Sequence, residues 1–154
     1  MLAASLPLHP LFVHVPVVFI PLTLIVVLPG LFSRRWERRF GFLAVAFAVI
    51  AAVSAWLATF TGEDLLHRVG SSGLVDKHRE LGETARNLAF ALAAFVTARW
   101  FAVSESSPAR IRGLVERRPW IETLLAAATS LCAVAATVWA VLAGHSGAVA
   151  VWNG

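Results

Sequence analysis

Five histidines, His9, His14, His67, His78 and His145, are the side chains of this chain best suited to chemistry. A neutral imidazole can ligate haem iron axially, or hold zinc or copper. Two of the five lie in Leu6-Pro7-Leu8-His9-Pro10-Leu11-Phe12-Val13-His14-Val15-Pro16, at the mouth of a long apolar run. His14 has apolar neighbours on both sides, and an ionisable residue entering a membrane-length segment is a functional candidate in its own right. Cys132 is the single cysteine, so no disulfide within the chain and no cysteine-built metal cage is expected. Its small and apolar neighbours make it a packing residue.

The elements that must position these imidazoles are apolar. Hydrophobic residues make up 58% of the chain and the mean hydropathy is +0.76, more apolar surface than a soluble domain of this size could cover. An integral membrane protein of one domain, 1–154, is therefore expected. Met1 to Leu8 has no basic residue and no small-x-small site follows the first apolar run, so that run reads as a retained helix. Four runs approach the roughly 20 residues a spanning helix needs: helices are expected at about 11–32, 40–61, 78–103 and 121–143, the third with its apolar part at 88–103. Gly62 and Gly144 read as the ends of the second and fourth. Pro16 and Pro21 should bend the first.

The fold class this implies is all-α: an integral membrane four-helix bundle, up-down-up-down, with both termini on the periplasmic side. Arg34, Arg35, Arg38 and Arg39 lie between the first two runs; Arg110, Arg112, Arg117 and Arg118 lie between the last two. The middle connection also has four basic residues, but balances them with five acidic ones. The arginine-rich connections hold their charge close to the helix ends, which places them inside. Tryptophans agree: Trp36, Trp100 and Trp120 mark one boundary, Trp56, Trp139 and Trp152 the other. Arg99 is expected to snorkel to the inner headgroups. Ala44, Ala48, Ala52, Ala55 and Thr59, and Ala126, Ser130, Ala133 and Thr137, form faces of small residues suited to close packing in lipid. The basic pI of about 11 belongs to this topology, and no nucleic-acid partner is expected.

All five histidines then share the outer layer. In such a bundle the first and third helices are diagonal, so His14 and His78 could clamp one haem b as axial ligands, with His145 or His9 as substitutes. Gly82, four residues after His78, would leave room for a flat ring, and Arg86 or Arg79 could meet its propionates. The other chemistry is a bare metal site for zinc or copper, drawn from His14, His78, His145, His67 and Glu83. Glu63, Asp64 and Glu80 are better explained as parts of a solvated surface, and Glu83 could equally pair with Arg86, three residues on.

His9-Pro10-Leu11-Phe12-Val13-His14-Val15-Pro16 resembles the His-Pro-x-x-Val-His-x-Pro opening of a bacterial family of four-span membrane proteins of unknown function. His78 followed by Gly82, and Gly144-His145-Ser146-Gly147-Ala148, are similar to that family's later landmarks. Trp152 stands where relatives would carry Tyr. Relatives joined to Rieske or c-type cytochrome modules imply a redox context, and the resemblance implies a bacterial inner membrane location.

The function expected from all this is electron transfer: a membrane protein binding haem b at its periplasmic face, passing electrons between quinol and a periplasmic redox protein. The competing expectation is a non-catalytic subunit or scaffold of a larger membrane complex, its histidine layer holding zinc or copper or serving structure alone. No catalytic residue stands out. The bilayer itself is the one partner common to both.

Overall fold

A computed structural model describes residues 9–69, 72–105 and 107–152; the side chains of Asp64, His67, Arg68 and Val69 fall outside the described set. The described secondary structure is all helical: α1 (His9–Phe12), α2 (His14–Gly30), α3 (Arg34–Val69), α4 (Gly73–Val103), α5 (Ala109–Arg117) and α6 (Trp120–Trp152).

The prolines explain the first break. Pro16 has no N–H to return to the Phe12 carbonyl, and the helix is interrupted at Val13. The Val13 N–H still donates to the His9 carbonyl at 3.1 Å, so α1 and α2 form one apolar segment, His9–Gly30. Pro21 and Pro29 are accommodated within α2. Ser72 caps α4, its hydroxyl accepting from the Val75 N–H at 3.4 Å.

Three stretches are long and apolar enough to cross a membrane: His9–Gly30, Arg34–Glu63 and Trp120–Trp152. α4 does not join them on that criterion. Arg86 and Asn87 precede its apolar run and Arg99 interrupts it. The helices also overrun their expected ends. α3 passes through Gly62 and α6 passes through Gly144, so neither glycine is a terminator. The four arginines expected in a connection instead begin α3.

α2 packs against α3 and α6, and α4 packs against the same two helices. Small residues make these contacts possible. Ala48, Ala51, Ala89, Ala133 and Ala136 are fully enclosed, with Ile20 and Leu92 the largest enclosed apolar side chains. The α3 face is the expected one. On α6 the buried stripe is Thr129, Cys132, Ala133, Ala136 and Ala140; it shares Ala133 with the expected Ala126–Ser130–Ala133–Thr137 face and leaves the other three half-buried. The enclosed hydroxyls of Thr23 and Thr129 donate to carbonyls four residues back, at 2.8 and 2.6 Å. Large apolar side chains point the other way: Phe42, Leu131 and Ile25 are 67%, 73% and 62% exposed. Small inside and large outside suits a lipid solvent, where apolar burial alone gives no association.

An ion pair lies inside. Arg99 does not snorkel; it is 4% exposed and its Nη2 donates to Glu37 Oε2 at 2.8 Å and to the Gly30 carbonyl at 2.9 Å. The sequence separation of these three residues hid the pairing. A side chain on a helix can reach inward as well as along its axis, and a buried carboxylate gives it reason to.

Candidate functional site

Among the described side chains, two histidines meet. The rings of His9 and His78 lie with centroids 5.9 Å apart and planes at 79°, edge to face. His9 stands at the start of α1, His78 in the second turn of α4. Each is fixed from behind by main chain. His9 Nδ1–H donates to the Ala58 carbonyl of α3 at 2.7 Å. His78 Nδ1–H donates to the Ala143 carbonyl of α6 at 3.0 Å and lies 3.2 Å from the Ser146 hydroxyl. A carbonyl can only accept, so both rings carry a proton on Nδ1, and the neutral form of each ring has its lone pair on Nε2. That is the arrangement of metal-binding imidazoles, whose second nitrogen is held by a carbonyl or carboxylate.

Two glycines make room. A Cβ on Gly62 would lie 3.0 Å from His9 Cε1 and Nδ1; a Cβ on Gly147 would lie 2.9 Å from His78 Cε1. Glycine in a helix interior costs about 1 kcal/mol against alanine, and here it leaves space for an imidazole. This explains why α3 carries Gly62 where a terminator was expected; Gly144, the terminator expected on α6, has nothing within 4 Å. Burial holds the His78 imidazole below the ordinary histidine range; the Ala143 hydrogen bond opposes that shift and the neighbouring His9 adds to it. His78 lies ten residues before the apolar run of α4.

The other expected ligands are placed differently. His14 is exposed, and its Nδ1–H donates to the Pro10 carbonyl of its own segment; it is His9, not His14, whose ring meets His78. His145 is exposed on α6, while the next two residues, Ser146 and Gly147, touch His78. The His67 side chain lies outside the described residues. Glu83 accepts from Arg79 Nε at 2.9 Å, not from Arg86. Arg86 reaches Thr59 Oγ1 at 3.5 Å and Asn87 Oδ1 at 3.2 Å, tying α4 to α3. A Cβ on Gly82 would meet nothing within 4 Å. Among the described residues, no group of three or more His, Cys, Asp or Glu side chains could hold a metal.

Apolar helices of crossing length, small-residue packing and an outward-facing apolar surface define a membrane protein. The chain belongs to the family of predicted membrane proteins designated DUF2231, whose model matches residues 5–154. No curated protein and no solved structure matches the chain.

Proposed function

We propose that this is an electron-transfer protein of the bacterial inner membrane, whose redox metal is held at the periplasmic face by His9 and His78. In this reading all four long helices span, up-down-up-down, with both termini outside. The tryptophan belts and the arginines that begin α3 and precede α6 support that topology. Arg99 is compatible with a spanning α4 because it is neutralised inside the protein by Glu37.

The observation that carries the proposal is the imidazole pair itself. Two imidazoles sharing one ion through Nε2, at metal–nitrogen distances of about 2.0–2.1 Å, have ring centroids about 5–6 Å apart. The observed 5.9 Å lies in that range. Copper is favoured among the divalent first-row ions for nitrogen ligands, and two protein ligands leave positions for water or for a ligand from a redox partner. The redox context implied by the family resemblance points the same way. A closed structural zinc site would need four ligands.

Haem b is the second reading, favoured by the open face at Gly82 and by Arg86 one turn further on. A single ion needs less room between the rings than a macrocycle. A macrocycle would need the helices to part around it, or would bind through one imidazole at the Gly82 face.

Metal analysis and an optical spectrum of the chain purified in detergent from metal- and haem-replete cells separate these readings. Stoichiometric copper, lost in H9A and H78A, is the expected result. A Soret band lost in H78A would transfer the site to haem. A colourless protein that takes up neither copper nor haem would leave only a structural role for the pair. Reporter fusions at 104–118 and at the C-terminus are expected on opposite sides of the membrane; the same side would overturn the topology.

A further inference from the structure

The end of α3 remote from the histidines carries a second feature. Arg34 lies 24 residues before Ala58, about 36 Å along a helix. Arg34, Arg35, Arg38 and Arg39 are all exposed there and line a surface recess of about 400 Å³. Four guanidinium groups within six residues repel one another. The protein neutralises two of them. Arg34 Nη2 donates to Glu122 Oε2 at 2.8 Å, and Arg38 Nη1 donates to Glu105 Oε1 at 2.7 Å. Arg35 and Arg39 have no carboxylate partner among the described residues; Arg39 sits 5.5 Å over the Phe40 ring. The recess thus keeps two positive charges to spare. Their forked donors match phosphate oxygens.

The surroundings say where that phosphate comes from. Phe32, two residues before Arg34, is 88% exposed. α5 is a short amphipathic helix with no buried residue, and it shows Ile111 and Leu114 at 37% and 50% exposure. Such a helix lies in the membrane interface, apolar face toward the acyl chains. Glu105 couples the two features, since its side chain holds Arg38 while its carbonyl accepts from Arg112 Nη1 at 2.7 Å. The arginines therefore stand beside exposed apolar groups that acyl chains would cover.

We propose that this recess binds the phosphate of an anionic membrane phospholipid, with Arg35 and Arg39 supplying the unbalanced charge and the two paired arginines forming its walls. A juxtamembrane basic cluster reads an anionic headgroup in this way. The proposal rests on the chain's membrane character and on no cofactor at the opposite end.

The test is thermal unfolding of the full chain in neutral detergent, titrated with phosphatidylglycerol, with phosphatidylcholine of the same acyl chains, or with inorganic phosphate. Phosphatidylglycerol is expected to raise the midpoint in a saturable way and phosphatidylcholine is not. In R35Q/R39Q the half-saturating lipid should rise about 30-fold, and in R35K/R39K by much less. K77Q/R79Q, which removes two charges at the far end, should leave it unchanged. Equal responses to both lipids, or an unchanged titration in R35Q/R39Q, overturn the proposal. An equal response to inorganic phosphate would reassign the recess to a free anion and overturn the lipid assignment. Native mass spectrometry of the unaltered chain gives a readout independent of any variant: a retained phosphatidylglycerol is expected, and none retained counts against the site.

Discussion

Arg99 of α4 and Glu37 of α3 form an ion pair at 2.8 Å, with side chains only 5% and 11% exposed. Gly30, at the end of α2, completes the cluster through its carbonyl. A cavity of about 10 Å³, lined among others by Glu37, Arg99, Gly41 and Thr129, adjoins it; that is about the space one water needs. Arg99 Nε and Nη1 have no protein partner among the described residues. Three helices are tied together here by charge, at the end of the molecule where the arginines of α3 begin.

Breaking this pair from one side should be far worse than removing both partners. A lone buried charge loses its compensation, and single truncations of such pairs are destabilising by about 3–5 kcal/mol. E37A or R99A is expected to fall in that range in equilibrium unfolding from detergent, whereas E37L/R99M should recover most of the loss. G30A should behave like a partial E37A, because a Cβ there collides with Glu37 Oε2. If the double variant is as unstable as the sum of the singles, the pair contributes independently of its neutralisation and the argument fails.

The glycines behind the imidazoles make a sharper contrast. Gly62 and Gly147 abut His9 and His78, while Gly82 and Gly144 have nothing within 4 Å of a built Cβ. G147A and G62A are expected to displace a ring by a few tenths of an ångström and weaken copper binding by about tenfold or more, since ligand geometry is held tightly by its supports. G82A and G144A should instead gain slightly in stability, up to about 1 kcal/mol, through helix propensity. Isothermal titration and thermal unfolding of the four variants, side by side, read both effects.

How far the sequence reaches is visible in the same residues. Apolar runs, alanine faces and arginine clusters follow from composition and periodicity alone, because burial and lipid solvation act on every turn of a helix. Helix ends also suggest a common layer for the histidines, of which His9 and His78 meet. The identity of the meeting pair was not. His9 and His78 come together through carbonyls of Ala58 and Ala143, and a main-chain acceptor leaves no mark on residue type. Glycine left a mark, but Gly62 sits in a long helix, where the common role of glycine as a stop obscures its role as a space, and Gly147 stood out only as part of a short motif. Arg99 misled for a related reason: its position near a helix end fits snorkelling, and only the facing Glu37 turns it inward.

Substitution of the histidines should reflect contacts and not depth. H9A and H78A each remove one of the two proposed ligands and are expected to abolish stoichiometric copper. H14A and H145A, whose rings are exposed, should bind copper as the unaltered chain does. H14A alone should show a small loss of helix order at the N-terminus, because its bond to Pro10 is local. A copper titration monitored by the ligand-field spectrum distinguishes the four. Loss of binding in H14A with retention in H9A would restore His14 as the ligand and undo the pair.

Stability of the metal-free protein should fall on acidification, and His78 sets the sign. Burial lowers its folded affinity for a proton below the ordinary histidine value, against the opposing pull of the Ala143 carbonyl and with a further push from His9. The unfolded chain then binds more protons than the folded one once pH drops below about 6.5. Unfolding free energy therefore rises with pH in that window and levels off above it. The contribution is complete at neutral pH and is lost as pH falls toward the depressed folded value. H78Q keeps a polar side chain but has nothing to titrate, so its stability between about pH 5 and 7 should be flatter than that of the unaltered chain, with H14Q as the control that leaves the slope alone. Thermal midpoints across that range in one detergent give the comparison. A steeper dependence in H78Q, or an unchanged one, would mean that the acid response belongs to another group.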